Sequence, residues 1–143
     1  MVKASDNDIY SLFSKLPDRL ISLLTTNKYS GDLLEIILDL GREPEARFSK
    51  ETVVFTSLGR TTEADIEYVV SNIGEFGEDN RAGIERTLHR ISAFRNRKNR
   101  IIGLTVRVGR SVQGTIKIIE DLVVQGKSIL LLGKPGVGKT TML

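Results

Sequence analysis

Apolar positions first recur along the chain at helical spacing, with Ile9, Leu12, Phe13 and Leu16 on one face and Leu20, Ile21, Leu23 and Leu24 continuing it. This periodicity predicts helix over residues 6 to about 26. Pro17 interrupts the run and fits the first turn of a second helix, where a missing N–H is no loss. A helical hairpin or kinked pair results. Residues 27–31 read as a loop.

At Asp32 the period changes. Leu34, Ile36, Leu38 and Leu40 alternate with Glu35, Ile37 and Asp39, which predicts a strand with one strongly apolar face. Leu33, Ile36, Ile37 and Leu40 also fit helical spacing, but the flanking Gly31 and Gly41 favour the strand. After a turn at residues 41–44, residues 46–48 and 52–55 predict two short strands. Thr62 then stands before Glu63, Ala64 and Asp65, a hydroxyl cap followed by acids at a helix N-terminus. Ile66, Val69, Val70 and Ile73 form that helix's apolar stripe, and Gly74 suits the position past its end.

Residues 76–83 are polar and turn-rich. Residues 87–95 and 101–108 are β-prone and are separated by Asn96-Arg97-Lys98-Asn99, predicting an antiparallel hairpin. In its second arm Ile102, Leu104, Val106 and Val108 share one face, while Thr105 and Arg107 share the other, so Arg107 leaves the core face. Ser111 is a fair N-cap for a helix striped by Val112, Ile116, Ile119, Leu122 and Val123 and ending at Gly126. The nearly unbroken apolar run 128–132 then predicts a strand buried on both faces of a parallel sheet. The domain expectation is a helical leader (1–30), an α+β N-terminal domain with a basic hairpin (31–110) and the start of a P-loop α/β domain (111–143).

Composition changes this picture little. With 40% hydrophobic and 27% charged residues in a chain of 143, it is that of an ordinary globular protein. No stretch is long enough to cross a bilayer, and Asp6 and Asp8 fall where a secretory signal would be apolar. There is no cysteine, so disulfides, thiolate metal sites and thiol nucleophiles are excluded. The net charge of +3 matters less than its distribution.

The strongest chemistry lies in Gly133-Lys134-Pro135-Gly136-Val137-Gly138-Lys139-Thr140-Thr141, which fits the G-x-x-x-x-G-K-[ST] pattern of a P-loop, or Walker A motif. Gly133, Gly136 and Gly138 permit dihedrals and close approaches that side chains block, so successive N–H groups can surround a phosphate. A helix beginning near Lys139 adds its unpaired N–H groups and the positive end of its dipole. Lys139 would bridge the β- and γ-phosphates of ATP, and the Thr140 hydroxyl would take a place on Mg²⁺, with Thr141 the lesser candidate. The competing reading is a glycine-rich turn that happens to contain Lys and Thr. Only Thr141, Met142 and Leu143 follow Thr140, whereas hydrolysis needs a further strand with an acidic residue. The expectation is therefore an ATP-binding segment truncated after Walker A, lacking Walker B and inactive as a fragment, with no catalytic residue of its own.

From Arg86 through Arg110 run eight cations and no acid: Arg86, Arg90, Arg95, Arg97, Lys98, Arg100, Arg107 and Arg110. A solvated basic hairpin is the plain reading. Alternatively, Arg95, Arg97, Lys98 and Arg100 contact single-stranded nucleic acid, or the hairpin serves oligomer assembly. A further alternative makes Arg107 and Arg110, nearest the P-loop segment, candidate arginine fingers toward a nucleotide. Apart from Phe94 the cluster has no interleaved aromatic to stack on bases. His89, the one histidine, reads as a surface or hydrogen-bonded structural residue, and no second histidine is present to build a zinc site. Glu75, Glu78 and Asp79 beside Arg81 read as a solvated turn, with a metal or partner site the lesser alternative.

The stretches 39–48, 74–92 and 103–110, together with the P-loop, resemble the uncharacterised plastid and cyanobacterial P-loop ATPase family. That family is similar to the stage III sporulation protein AA ATPases and, more remotely, to secretion and pilus-retraction ATPases. The resemblance covers nearly all the chain from about Leu33. It implies an α+β domain preceding a RecA-like ATPase core and, in longer relatives, a carboxy-terminal domain associated with single-stranded nucleic acid. It also implies a homo-oligomeric ring with first-domain arginines near the nucleotide, and a location in the chloroplast stroma or the cyanobacterial cytoplasm.

Overall fold

The computed structural model describes residues 6–25, 32–110, 117, 119–134 and 137. The chain divides into two compact units, Lys3–Gly109 and Arg110–Leu143.

The first unit begins with α1 (Asp6–Phe13) and α2 (Asp18–Thr25). Leu12 of α1, Leu16 in the turn between the helices, and Leu20 and Leu24 of α2 form a leucine row in the sequence and are all fully buried. Next come β1 (Leu33–Asp39), β2 (Glu45–Phe48) and β3 (Thr52–Val54), then a 3₁₀ turn at Thr56–Leu58 and α3 (Glu63–Ile73). Finally β4 (Arg81–Gly83), β5 (Arg90–Arg95) and β6 (Ile101–Arg107) complete an antiparallel sheet in the order β3-β2-β1-β6-β5-β4. One sheet face, carrying Ile36, Leu38, Ala46, Ile91, Leu104 and Val106, shares a single core with the leucine row and with Ile66 and Val69 of α3. The result is α+β, with helices on one face and the other open.

Two expectations shift by one and by three residues, for identifiable reasons. In β1 a bulge between Leu33 and Glu35 places Leu33 and Ile36 on the core face, so Leu33 is buried where alternation assigned Leu34, which is exposed together with Leu40. β5 starts at Arg90 rather than residue 87, because Thr87 is held in a turn by its N–H and hydroxyl, both donating to the Ile84 carbonyl. The polar stretch 76–83 contains a strand that its composition hides. β4 is only three residues long and lies at the sheet edge, paired to β5 alone.

α3 matches its sequence signals. Thr62 Oγ1 accepts from the Asp65 N–H at 3.3 Å, while Asp65 Oδ2 accepts from the Thr62 N–H at 2.7 Å and the Thr62 hydroxyl at 2.6 Å, a reciprocal capping box. What the local pattern lacks is Arg19 of α2, whose guanidinium donates to both Asp65 oxygens and to the Leu58 and Arg60 carbonyls. Burial alone would raise the Asp65 carboxyl. The hydrogen bonds from Arg19 and Thr62, with the Arg19 charge, outweigh it and hold the group below the ordinary aspartate range.

The predicted hairpin joins β5 to β6. Asn96 Oδ1 accepts from the Lys98 and Arg100 N–H groups, and Asn99 takes a left-handed conformation at φ 61°, which Asn tolerates better than most residues.

In the second unit α4 covers Glu120–Val123, and Gly126 at φ 66° closes the turn after it, where the sequence ends the helix. Ser111, Val112 and Ile116 of the expected helix lie outside the described residues. The strand expected at 128–132 is not formed. Those residues have no ladder partner among the described residues, and Leu130 and Leu132 are 81% and 85% exposed. A strand exists only through pairing, so an apolar run without a neighbouring strand stays open chain.

Candidate functional site

Two places carry chemistry, and they lie in different units. In the glycine-rich stretch, Gly133, Lys134 and Val137 are exposed on open chain that follows the apolar run. Pro135, Gly136, Gly138, Lys139, Thr140 and Thr141 lie outside the described residues. The donor set of the stretch fits a Mg²⁺–triphosphate, with backbone amides and an ammonium for phosphate oxygens and a hydroxyl for the metal.

The cationic residues of the first unit separate into three environments. Arg95 donates from Nε to Asn80 Oδ1 at 2.6 Å and from Nη1 to the Asn99 carbonyl, so it braces the hairpin against the turn before β4. Arg100 pairs with Glu63 at the start of α3 at 2.7 Å, both side chains about half exposed. Arg97 and Lys98 occupy the exposed turn. Of the four residues expected at a nucleic-acid surface, Arg95 lies on the helix side of β5 by the same alternation as Ile91 and Ala93 and lines a hollow beside α3 together with Arg100, while Arg97 and Lys98 stay in the turn. Arg107 leaves the core face as its alternation requires, and is exposed at the end of β6. Arg110 begins the second unit.

The third environment is the open sheet face. Strand register places Arg47, Glu35, Arg107 and Arg90 in one cross-strand row over β2, β1, β6 and β5. The next row holds Glu45, Ile37, Thr105, Ser92 and Arg81. Glu35 accepts from Arg47 at 2.9 Å and lies 3.9 Å from Arg107. Arg81, Arg90, Arg107, Ser92, Thr105 and Glu35 line an open hollow of about 320 Å³. Farther along β5, Phe94 projects on the same face and is 67% exposed. The basic cluster read from the sequence contains Arg90, Phe94 and Arg107 but not Arg47, and Arg81 falls there beside an acidic turn. The usable signal was the two-residue alternation Arg90, Ser92, Phe94 set against Thr105 and Arg107.

His89 is 1% exposed, and its Nδ1 accepts the Gly109 N–H at 3.0 Å. It is a structural, hydrogen-bonded histidine. Among the described residues no group of His, Asp and Glu is arranged to hold a metal, and no helix is long and apolar enough to cross a membrane.

Comparison with known proteins adds the following. Over 135 residues the chain is 53% identical to the uncharacterized protein ycf45 of Porphyra purpurea, covering 94% of this chain and 24% of that protein. It is 49% identical over 128 residues to the protein SEEDLING PLASTID DEVELOPMENT 1 of Arabidopsis thaliana, covering 90% of this chain and 19% of that protein. With ycf45 of Cyanidium caldarium it shares 40% identity over 137 residues, covering 96% and 41%. The chain therefore spans less than half the length of these relatives. Among solved structures it is similar to the Legionella pneumophila ATPase DotB, with a TM-score of 0.53 and 13% identity, covering 92% of this chain and 40% of that one. At that identity the likeness is one of fold. No protein-family model matches the chain.

Proposed function

We propose that the chain carries the phosphate-binding loop of an ATP-binding protein and that its first unit is the α+β domain preceding a RecA-like ATPase core. Residues 133–141 carry the reading: three glycines, then Lys139 and Thr140 at the spacing that cradles a triphosphate and its Mg²⁺. The fold likeness to an ATPase and the similarity to the ycf45 proteins support it. When bound, Mg²⁺ would neutralise charge on the phosphates, and the residues of the chain would do the rest by orientation. The backbone N–H groups of 133–138, all but that of Pro135, would wrap the anion, Lys139 would hold its terminal oxygens, and Thr140 would fix the metal side.

Kinship with the sporulation AA ATPases, homo-oligomerisation and a plastid or cyanobacterial location belong to the same proposal, as do Arg107 and Arg110 as fingers toward a nucleotide. The test is titration of the full-length protein with a fluorescent ATP analogue, with and without Mg²⁺. Lys139→Ala should weaken binding roughly tenfold or more, about 1.4 kcal/mol, and Thr140→Ala should remove most of the Mg²⁺ dependence. Nucleotide affinity indifferent to both substitutions would overturn the reading.

A further inference from the structure

We infer that the open half-face formed by β4, β5 and β6 docks single-stranded nucleic acid, with Arg81, Arg90 and Arg107 taking backbone phosphates and Phe94 stacking on a base. The surface shares no residue with the glycine-rich loop, and only Arg107 also figures in the nucleotide reading, so the test rests on Arg90 and Phe94.

The sheet's open face is divided by charge. Its acids, Glu35, Asp39 and Glu45, are on β1 and β2. The open positions of the other three strands are Arg107, Thr105 and Gly103 on β6, Arg90, Ser92 and Phe94 on β5, and Arg81 and Gly83 on β4. That half presents three guanidinium groups, two hydroxyls and one aromatic ring; the one acid lining its hollow is Glu35 of neighbouring β1, which is engaged by Arg47 at 2.9 Å. Arg107 and Arg90 stand directly opposite each other, an arrangement that like charges make unfavourable. Arg107 has Glu35 only at 3.9 Å, and Arg81 has Asp79 only at 3.9 Å, across exposed side chains. Arg90 has no acidic partner among the described residues. Arg19 and Arg100, by contrast, each close on a carboxylate within the fold. An anion in the hollow would relieve the Arg90–Arg107 repulsion, and guanidinium and hydroxyl donors together match phosphate oxygens.

Phe94 decides the class of partner. It sits four residues along β5 from Arg90, about 13 Å at the usual strand rise, and its strand neighbour is Gly103. A Cβ on Gly103 would come within 2.6 Å of Asp39 Oδ1 and 3.5 Å of the Phe94 Cβ, so glycine keeps the surface beside the ring low. An aromatic side chain two-thirds exposed on a sheet otherwise polar at that end offers a stacking platform. A duplex hides its base faces and an acidic peptide has none, so both would use the arginines and leave the ring idle.

The test is fluorescence anisotropy of a labelled oligothymidylate with the full-length protein, a salt series, and a duplex of equal length and a polyglutamate peptide as competitors. The single strand should bind best. Arg90→Ala should weaken it several-fold and reduce the slope of log affinity on log salt by about 0.7. Phe94→Ala should weaken it about tenfold, with Phe94→Tyr restoring it. Arg97→Ala with Lys98→Ala should change little, and Lys139→Ala should leave strand binding intact. Both Arg90 and Phe94 are exposed, so thermal unfolding should report folded variants. Absence of strand binding, binding unaffected by Arg90→Ala and Phe94→Ala, or equal or tighter binding of duplex or polyglutamate would each overturn the inference.

Discussion

His89 Nδ1 accepts a hydrogen bond from the Gly109 backbone N–H at 3.0 Å, joining the residue before β5 to the chain two residues beyond β6. A Cβ at Gly109 would lie 2.0 Å from the Leu88 carbonyl oxygen, so the close approach that makes the bond requires glycine. His89→Ala should leave that N–H without its partner and open a cavity, costing about 2–3 kcal/mol. Gly109→Ala should cost about 1–3 kcal/mol through a backbone clash. Urea unfolding midpoints with unchanged slope would check both. Wild-type stability in Gly109→Ala would mean that Leu88 and Gly109 are not packed this closely.

The Arg19–Asp65 pair should set acid sensitivity. The folded carboxyl lies below its ordinary value of about 3.9, so its contribution is complete above that value and is lost as pH falls through the lower, folded one. Asp65→Asn should cost roughly 2–3 kcal/mol at neutral pH. The gap between variant and wild type should narrow as pH drops below 4, as read from denaturant midpoints across a pH series. A gap independent of pH would remove the carboxylate from the argument.

Arg100 and Glu63 form an ion pair with both side chains half exposed, and such pairs are worth little. Arg100→Ala should change stability by less than about 1 kcal/mol, in contrast to Leu104→Ala in the core, where about 2–5 kcal/mol is expected. Thermal melts of the two variants side by side would separate them.

Leu130 and Leu132 stand almost fully exposed. Leu132→Ser in this chain should shift stability by no more than about 0.5 kcal/mol while lowering concentration-dependent association, measurable by light scattering. A large loss of stability would show that the run is buried after all.

Local signals decided a good deal of this protein. The Thr62 cap, the α3 stripe, the Asn96–Asn99 turn and the outward placement of Arg107 are all written in spacings of two to four residues, because capping, amphipathicity and alternation act over that range. Residue types alone also single out the stretch 133–141, since phosphate cradles need glycines, Lys and Thr in fixed order. Other features required the folded chain. The strand order β3-β2-β1-β6-β5-β4 and its bulges bring Arg81, Arg90 and Arg107 together from positions up to 26 residues apart. The same fold leaves Phe94 in the open. Arg19 reaches Asp65 across 46 residues, and nothing near either residue in sequence announces the other. Whether residues 128–132 form a strand is likewise outside local reach, since an apolar run supplies one side of a ladder and the neighbour must come from elsewhere.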